Sequence, residues 1–136
     1  HTHVGVVIWK LINSYKSTFK QEKLKDYYFN KYSNSFKGFK IAKDELTRLK
    51  KFCLKNNINC HLILMPDIHK LNPYELSFIN EKMSKVSKEL KYNYLDLLPI
   101  FEGQPQRKIW NDYGDPHPSA YAHELMANRI FNYLLK

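Results

Sequence analysis

The sequence predicts an α/β protein built as a three-layer α/β/α sandwich around a parallel sheet. Two observations predict it: amphipathic helical stretches alternate with short apolar runs, and those runs lack the polar alternation of a half-exposed strand. Strands of a parallel sheet are continuously apolar because helices cover both of its faces. The order helix, strand, helix, strand with short connections therefore places helices in two outer layers.

The first helix and strand are predicted at residues 41–57 and 60–65. Apolar residues recur at three- and four-residue intervals in the helix, as expected for a buried face. The strand is a continuous apolar run that ends at Pro66, so we expect it to be central in the sheet. The predicted buried face of the helix comprises Ile41, Ala42, Leu46, Leu49, Phe52 and Cys53.

A second helix is predicted to begin at Asn72-Pro73, and a second strand at residues 94–98 stops at Pro99. A long loop over residues 100–118 then leads to a final helix, for which Ser119 can serve as the N-cap. The second helix has the buried stripe Ile79, Met83, Val86 and Leu90, and the final helix carries Ala122, Leu125, Met126, Ile130, Tyr133 and Leu134.

The N-terminal segment, residues 1–40, is the least certain part of the chain. Residues 4–12 are apolar and fit either a strand or a short buried helix, and residues 14–39 suggest a partly helical excursion that ends near Gly38. Two or three strands are too few for a sheet that must cover helices on both faces. Because the sequence begins at His1 without an initiator Met, we expect residues 1–136 to be the C-terminal part of a single domain.

Composition argues against nucleic acid as a partner, although the formal net charge is +9. Only three of the 22 basic residues are arginine, the side chain that usually recognises bases and phosphates in bidentate fashion. The lysines instead fall on polar helix turns, as in solvated helices. The apolar run at residues 4–9 is too short to cross a bilayer, so no membrane span is predicted.

Cys53 and Cys60 are too few for a disulfide framework. They could meet across the connection between the first helix and the first strand. We favour buried free thiols, and whether the two form a disulfide stays open.

The segment Asp115-Pro116-His117 is the strongest candidate for chemistry, because ligands of open α/β sheets bind beyond the carboxyl ends of the strands. Histidine is suited to act as a general base near neutral pH, and a carboxylate can orient its ring and stabilise the imidazolium. The flanking prolines restrict the backbone. The alternatives are a turn-capping aspartate and a structural loop histidine. Asp67 and His69 repeat the pattern after the first strand, where we expect a role at the loop rim.

No metal or cofactor is expected. His117 and His123 are six residues apart, which matches no standard zinc spacing, and no third ligand is evident. His123 is expected to pack on the flank of the last helix.

The block Asp115-Pro116-His117-Pro118-Ser119-Ala120, followed by a helix that carries His123, resembles the final block of the SGNH (GDSL-type) hydrolase superfamily. Leu62-Ile63-Leu64-Met65-Pro66 resembles a strand of that family that ends in proline. Tyr94-Leu95-Asp96-Leu97-Leu98-Pro99 resembles its last strand. The likeness covers the chain from about Ile41 to the C-terminus.

The resemblance implies a flavodoxin-like sandwich and hydrolysis of esters, often acyl groups on carbohydrates or lipids. It implies that His117 is the general base and Asp115 its orienting partner. Many members place the aspartate three residues before the histidine, where this chain has Gly114, whereas other branches, including acetyltransferase-like relatives, use the two-residue spacing seen here. Asp112 is the alternative partner.

The Gly-Asp-Ser block and the oxyanion residues of the family are not found in the sequence, and Ser119 fits a helix cap. The chain is therefore expected to carry the His-Asp half of a triad, with the nucleophile upstream. The other interpretation is a non-catalytic binding or assembly module of the same fold, whose aromatic residues and lysines contact an acidic glycan or a protein. Members of the family are often secreted or in the cell envelope, which makes export plausible.

Overall fold

A computed structural model of the chain describes residues 5, 8 and 24–135, and it has a mixed α/β fold. Residues 24–31 are helical and precede the first full element. The elements that follow are α1 (Lys37–Lys55), β1 (His61–Leu64), α2 (Ser77–Glu89), β2 (Asn93–Asp96), a 3₁₀ turn (Leu98–Phe101), α3 (Gln106–Ile109), β3 (Trp110–Asp112), β4 (Asp115–Pro118) and α4 (Ala120–Leu134).

Two small sheets organise these elements. Strands β1 and β2 are parallel, with His61 opposite Asn93 and Leu64 opposite Asp96, and α2 connects them. Strands β3 and β4 form an antiparallel hairpin around a two-residue turn at Tyr113-Gly114. The parallel pairing and the connecting helix confirm the predicted strand-helix-strand unit.

The hydrophobic core lies between the parallel sheet, the 3₁₀ turn and α4. It draws residues from the segments that follow β1 and β2, so these loops are fixed to the same core as the last helix. Its buried members are Ile68, Leu95, Leu97, Phe101, Ile109, Ala122 and Met126.

Helix α1 confirms the predicted helix but not its buried face. Ile41, Leu49 and Phe52 are each at least half exposed, and Cys53 is the member of the predicted face that is fully buried. Hydrogen bonds join α1 to α2 and to the segment before β2: Lys43 Nζ donates to both Glu89 carboxylate oxygens at 2.7 and 2.8 Å, and the Tyr92 hydroxyl donates to the Leu46 carbonyl. The apolar pattern predicted the helix because periodicity follows backbone geometry, whereas burial depends on what packs against the helix.

The region predicted as a long loop, residues 100–118, instead contains the 3₁₀ turn, α3 and the β3–β4 hairpin. The two prolines at positions 116 and 118 both lie in β4. A two-stranded hairpin leaves alternate residues of each strand without ladder partners, so a residue that lacks an N–H can be accommodated there. Helix α2 also begins five residues later than predicted, at Ser77 rather than Asn72.

Strand β1 was predicted to be buried on both faces, but all four of its residues are only partly buried. Among the described residues it pairs with β2 alone. Gly38, predicted near a helix boundary, lies inside the first turn of α1. The alternatives for residues 4–12 fall largely outside the described residues, in which Gly5 and Ile8 are both helical.

Cys53 and Cys60 form a disulfide, so the expectation of free thiols is wrong. Helix α1 ends at Lys55, and the chain turns through Asn57, which has a φ of 55°, so that it reverses toward β1. The Ile58 N–H donates to the Cys53 carbonyl at 2.8 Å, and the two cysteine Cα atoms are 6.3 Å apart. The disulfide therefore fixes the end of α1 to the start of β1.

Replacing both cysteines with serine should lower the free energy of unfolding by roughly 2–3 kcal/mol, the effect expected when a short loop is no longer cross-linked in the unfolded state. Urea denaturation of the oxidised parent and of the double variant measures the difference. The parent treated with reductant should match the double variant. Equal midpoints for the oxidised and reduced parent would contradict this role of the disulfide.

Candidate functional site

The β3–β4 hairpin positions the Asp115–His117 pair. Ile109, directly before the hairpin, is completely buried, and its carbonyl accepts the Ser119 N–H at 2.8 Å just after the hairpin ends. Trp110 is opposite Pro118 in the register. Both ends of the hairpin are therefore fixed at the core, while its tip extends toward solvent.

Asp115 binds His117 twice. The His117 backbone N–H donates to Asp115 Oδ1 at 3.1 Å, and the His117 ring nitrogen Nδ1 hydrogen-bonds to the same oxygen. An ionised carboxylate can only accept, so the neutral ring carries its proton on Nδ1 and leaves Nε2 with a free lone pair. The His117 side chain is 84% exposed, so Nε2 is accessible to a hydroxyl group.

Asn111 holds the other carboxylate oxygen of Asp115. Its Nδ2 donates to Asp115 Oδ2 at 3.0 Å across the hairpin. The hydrogen bond from Asn111, followed by those from the ring and backbone of His117, lowers the pKa of Asp115 from 3.8 to about 2. Asp115 is therefore fully ionised at neutral pH, as an orienting carboxylate must be.

Replacing Asn111 with alanine should raise the pKa of Asp115 toward 3.8, because the largest contribution to its depression is then lost. Since the folded-state pKa lies below the unfolded value, the stabilising contribution of this carboxylate is complete above about 4 and is lost as the pH falls through 2. The titration of the Asp115 carboxyl carbon, followed by NMR, measures the midpoint in both proteins. Identical midpoints would show that Asn111 does not act on Asp115.

The remaining residues of the predicted site occupy other positions. Asp112, the alternative partner, accepts the Tyr113 N–H at 2.6 Å and does not contact His117 within the described part of the chain. Ser119 is the N-cap of α4, as predicted, because its hydroxyl accepts the Ala122 N–H at 3.1 Å. His123 is exposed on α4 rather than packed on its flank.

The Asp67–His69 pair repeats the same local geometry. Asp67 Oδ1 binds both the His69 backbone N–H at 2.9 Å and the His69 Nδ1 at 2.7 Å. Between them, Ile68 is buried in the core. The sequence analysis expected a role for Asp67 and His69 at the loop rim and did not predict that they are hydrogen-bonded to each other. The Asp-x-His spacing was the signal that could have indicated it.

Two side chains connect the loop of Asp67–His69 to the segment that carries the hairpin. Trp110 Nε1 donates to the Ile68 carbonyl at 2.8 Å, and Gln106 Nε2 donates to the His69 carbonyl at 2.9 Å. Sequence reasoning missed these contacts, as it missed the role of Asn111. Nothing in their spacing indicated them, because each acts across a turn or between loops.

A groove of about 610 Å³ runs beside the hairpin, and Asn111 lines it. Neither Asp115 nor His117 belongs to its lining, which is Pro105, Gln106, Arg107, Trp110, Asn111, Asp112 and Tyr113. The described residues contain no group of three or more histidine, cysteine or acidic side chains that could hold a metal ion. Across the same residues, every helix is either too short or too polar for a bilayer span.

Comparison of the chain with protein-family models, with curated proteins and with solved structures gives no match. The geometry and chemistry of the residues themselves therefore carry the argument about function.

Proposed function

We propose that this chain supplies the acid–base half of an SGNH-type serine ester hydrolase that acts on acyl groups of carbohydrates or lipids. The observation that carries the proposal is the Asp115–His117 pair: an ionised carboxylate binds Nδ1 and leaves Nε2 exposed. The resemblance of the segment around it to the final SGNH block supports the same role. The nucleophilic serine and the oxyanion donors would come from residues upstream of this chain.

In the proposed reaction, His117 Nε2 takes the proton of the serine hydroxyl while the serine oxygen attacks the ester carbonyl carbon. Asp115 holds the imidazolium that forms. His117 then gives the proton to the departing alkoxide oxygen, which leaves as an alcohol, and an acyl-serine remains. Water repeats the sequence: His117 takes its proton, the hydroxide attacks the acyl carbon, and the carboxylic acid is released as serine recovers its proton.

The contacts of the parallel sheet support a sandwich of the flavodoxin-like type. On one face, Leu95 belongs to the core that includes Ala122 and Met126 of α4. The neighbouring Asp96 accepts hydrogen bonds from Asn80 of α2. Successive residues of a strand point to opposite faces, so these contacts support an arrangement with α4 and α2 on different sides of β2. A complete sheet would need further strands.

The disulfide supports the proposal that the protein is exported or belongs to the cell envelope. Disulfides persist in oxidising compartments and are rare where thiol reductants are maintained. The Cys53–Cys60 disulfide lies between α1 and β1 and does not touch the Asp115–His117 pair, so a structural role fits it better than a catalytic one.

Labelling of the full-length protein with a fluorophosphonate tests for the proposed nucleophile. We expect a covalent adduct on one serine upstream of this chain, together with hydrolysis of p-nitrophenyl acetate. The His117→Ala variant should label much more slowly, because the general base is gone. A full-length protein that neither labels nor hydrolyses the ester would overturn the proposal.

A further inference from the structure

A second cavity, of about 290 Å³, opens where β1 ends. It lies on the α2 side of the sheet, since Ile79 and Asn80 of α2 line it. The carboxyl ends of strands are where α/β folds bind ligands, and this volume is at the small end of the range for ligand pockets, roughly 300–1,000 Å³. Its lining is Tyr28, Tyr32, Leu64, Met65, Pro66, Asp67, Tyr74, Leu76, Ile79 and Asn80.

Aromatic rings form one wall of the cavity. Tyr28 and Tyr32 are partly buried, and their ring centroids are 6.4 Å apart at an angle of 60°. Burial raises the pKa of Tyr74 to about 12, so its hydroxyl keeps its proton and can donate. The wall combines apolar ring faces with hydroxyl groups.

The lining also contains the carboxylate of Asp67 and the buried amide of Asn80. Asn80 is only 7% exposed, and its Nδ2 donates to both carboxylate oxygens of Asp96 at 2.9 Å. These contacts fix the orientation of the amide, and Asn80 Oδ1 is left buried without a partner in the described residues. Such an acceptor is costly unless a donor reaches it. Both contacts from His69 are to Asp67 Oδ1, and no other residue in the described part of the chain hydrogen-bonds to Asp67 Oδ2.

Asp67 is the charged residue in the cavity lining, and charges of both signs surround the depression that adjoins it. Two cations, Lys25 and Lys70, lie with two carboxylates, Asp67 and Glu75, around the adjoining depression. Lys70 is paired with Glu75 at 2.6 Å. A site for an anionic ligand would need unpaired cations, so the balance favours an uncharged one.

We propose that this cavity binds one neutral pyranose ring of a glycan. A pyranose has an apolar face of C–H groups that can pack on Tyr28 and Tyr32, and a hydroxyl edge that can donate to Asp67. The small volume admits one ring rather than several. Recognition here does not depend on the ester hydrolysis proposed above, since it uses none of the hairpin residues.

Isothermal titration of the full-length protein tests the proposal with a panel of neutral disaccharides built from glucose, galactose, mannose or N-acetylglucosamine. At least one should bind, and Asp67→Asn should weaken its binding about tenfold, because an amide is a poorer acceptor than a carboxylate. Tyr32→Ala should weaken it by at least as much. Binding should persist in His117→Ala, which separates this site from the catalytic proposal.

Phe29→Ala is the matched control, because Phe29 is 63% exposed on the same helical segment and packs on Phe78, and neither residue lines the cavity. It should leave the dissociation constant unchanged. The proposal is wrong if no neutral disaccharide binds, if only digalacturonate or octanoate binds, or if Phe29→Ala weakens binding as much as Asp67→Asn does. Asp67→Asn preserves the shape of the side chain, so the test stands even if Tyr32→Ala fails to fold.

Discussion

Replacing His117 with alanine should lower p-nitrophenyl acetate hydrolysis by the full-length protein by about 10⁴-fold or more. The variant loses the group that takes the serine proton and returns it to the leaving alcohol. Because the His117 side chain is 84% exposed and makes no core contact, the fold should survive the change. Steady-state kinetics measure the rates of variant and parent. Equal urea unfolding midpoints for the two proteins would show that the rate falls because the general base is missing and not because the fold is lost.

His123→Ala is the control for this experiment, since His123 is an exposed histidine only six residues away, on α4. Its rate should equal that of the parent. Asp115→Asn should reduce the rate by roughly 10²–10⁴-fold, because an amide does not stabilise the imidazolium or enforce the Nδ1–H tautomer. If Asp112→Asn had the larger effect, the working partner of His117 would be Asp112. An unchanged rate in His117→Ala would end the assignment of this histidine as the general base.

Helices and strands of this fold could be predicted where a single local pattern of apolar residues identifies the element. Helix α1 follows from its three- and four-residue apolar spacing, and β1 from an uninterrupted apolar run that ends at Pro66. The exposure of Phe52 and the hairpin of residues 110–118 were not predictable this way. Burial depends on packing partners that are distant in sequence. The prolines in β4 are untypical of a strand, and the hairpin is held by the buried Ile109 that precedes it.

The candidate site likewise has one contact that the sequence predicts and others that it does not. The Asp115–His117 contact could be predicted because residues two positions apart in an extended segment point to the same side, which brings the Asp115 carboxylate next to the His117 ring. Asn111 approaches Asp115 only because the chain reverses at Tyr113-Gly114, so its role depends on a turn that the sequence analysis did not foresee. The cavity of tyrosines combines residues from three separate segments, and only the folded chain brings them together.

Phe101→Ala should lower the free energy of unfolding by about 3–5 kcal/mol, the usual cost of truncating a buried phenylalanine. Phe101 is 1% exposed and belongs to the same core cluster as Ile109, which anchors the hairpin, and Ala122 of α4. The cavity left behind would lie beneath both, so the loss should be accompanied by broadened NMR signals of Asp115 and His117. Urea denaturation measures the stability.

The control is Phe131→Ala, on α4 and 62% exposed, for which we expect a change below about 0.5 kcal/mol. Equal losses in the two variants would mean that Phe101 does not stabilise the core more than a surface phenylalanine does.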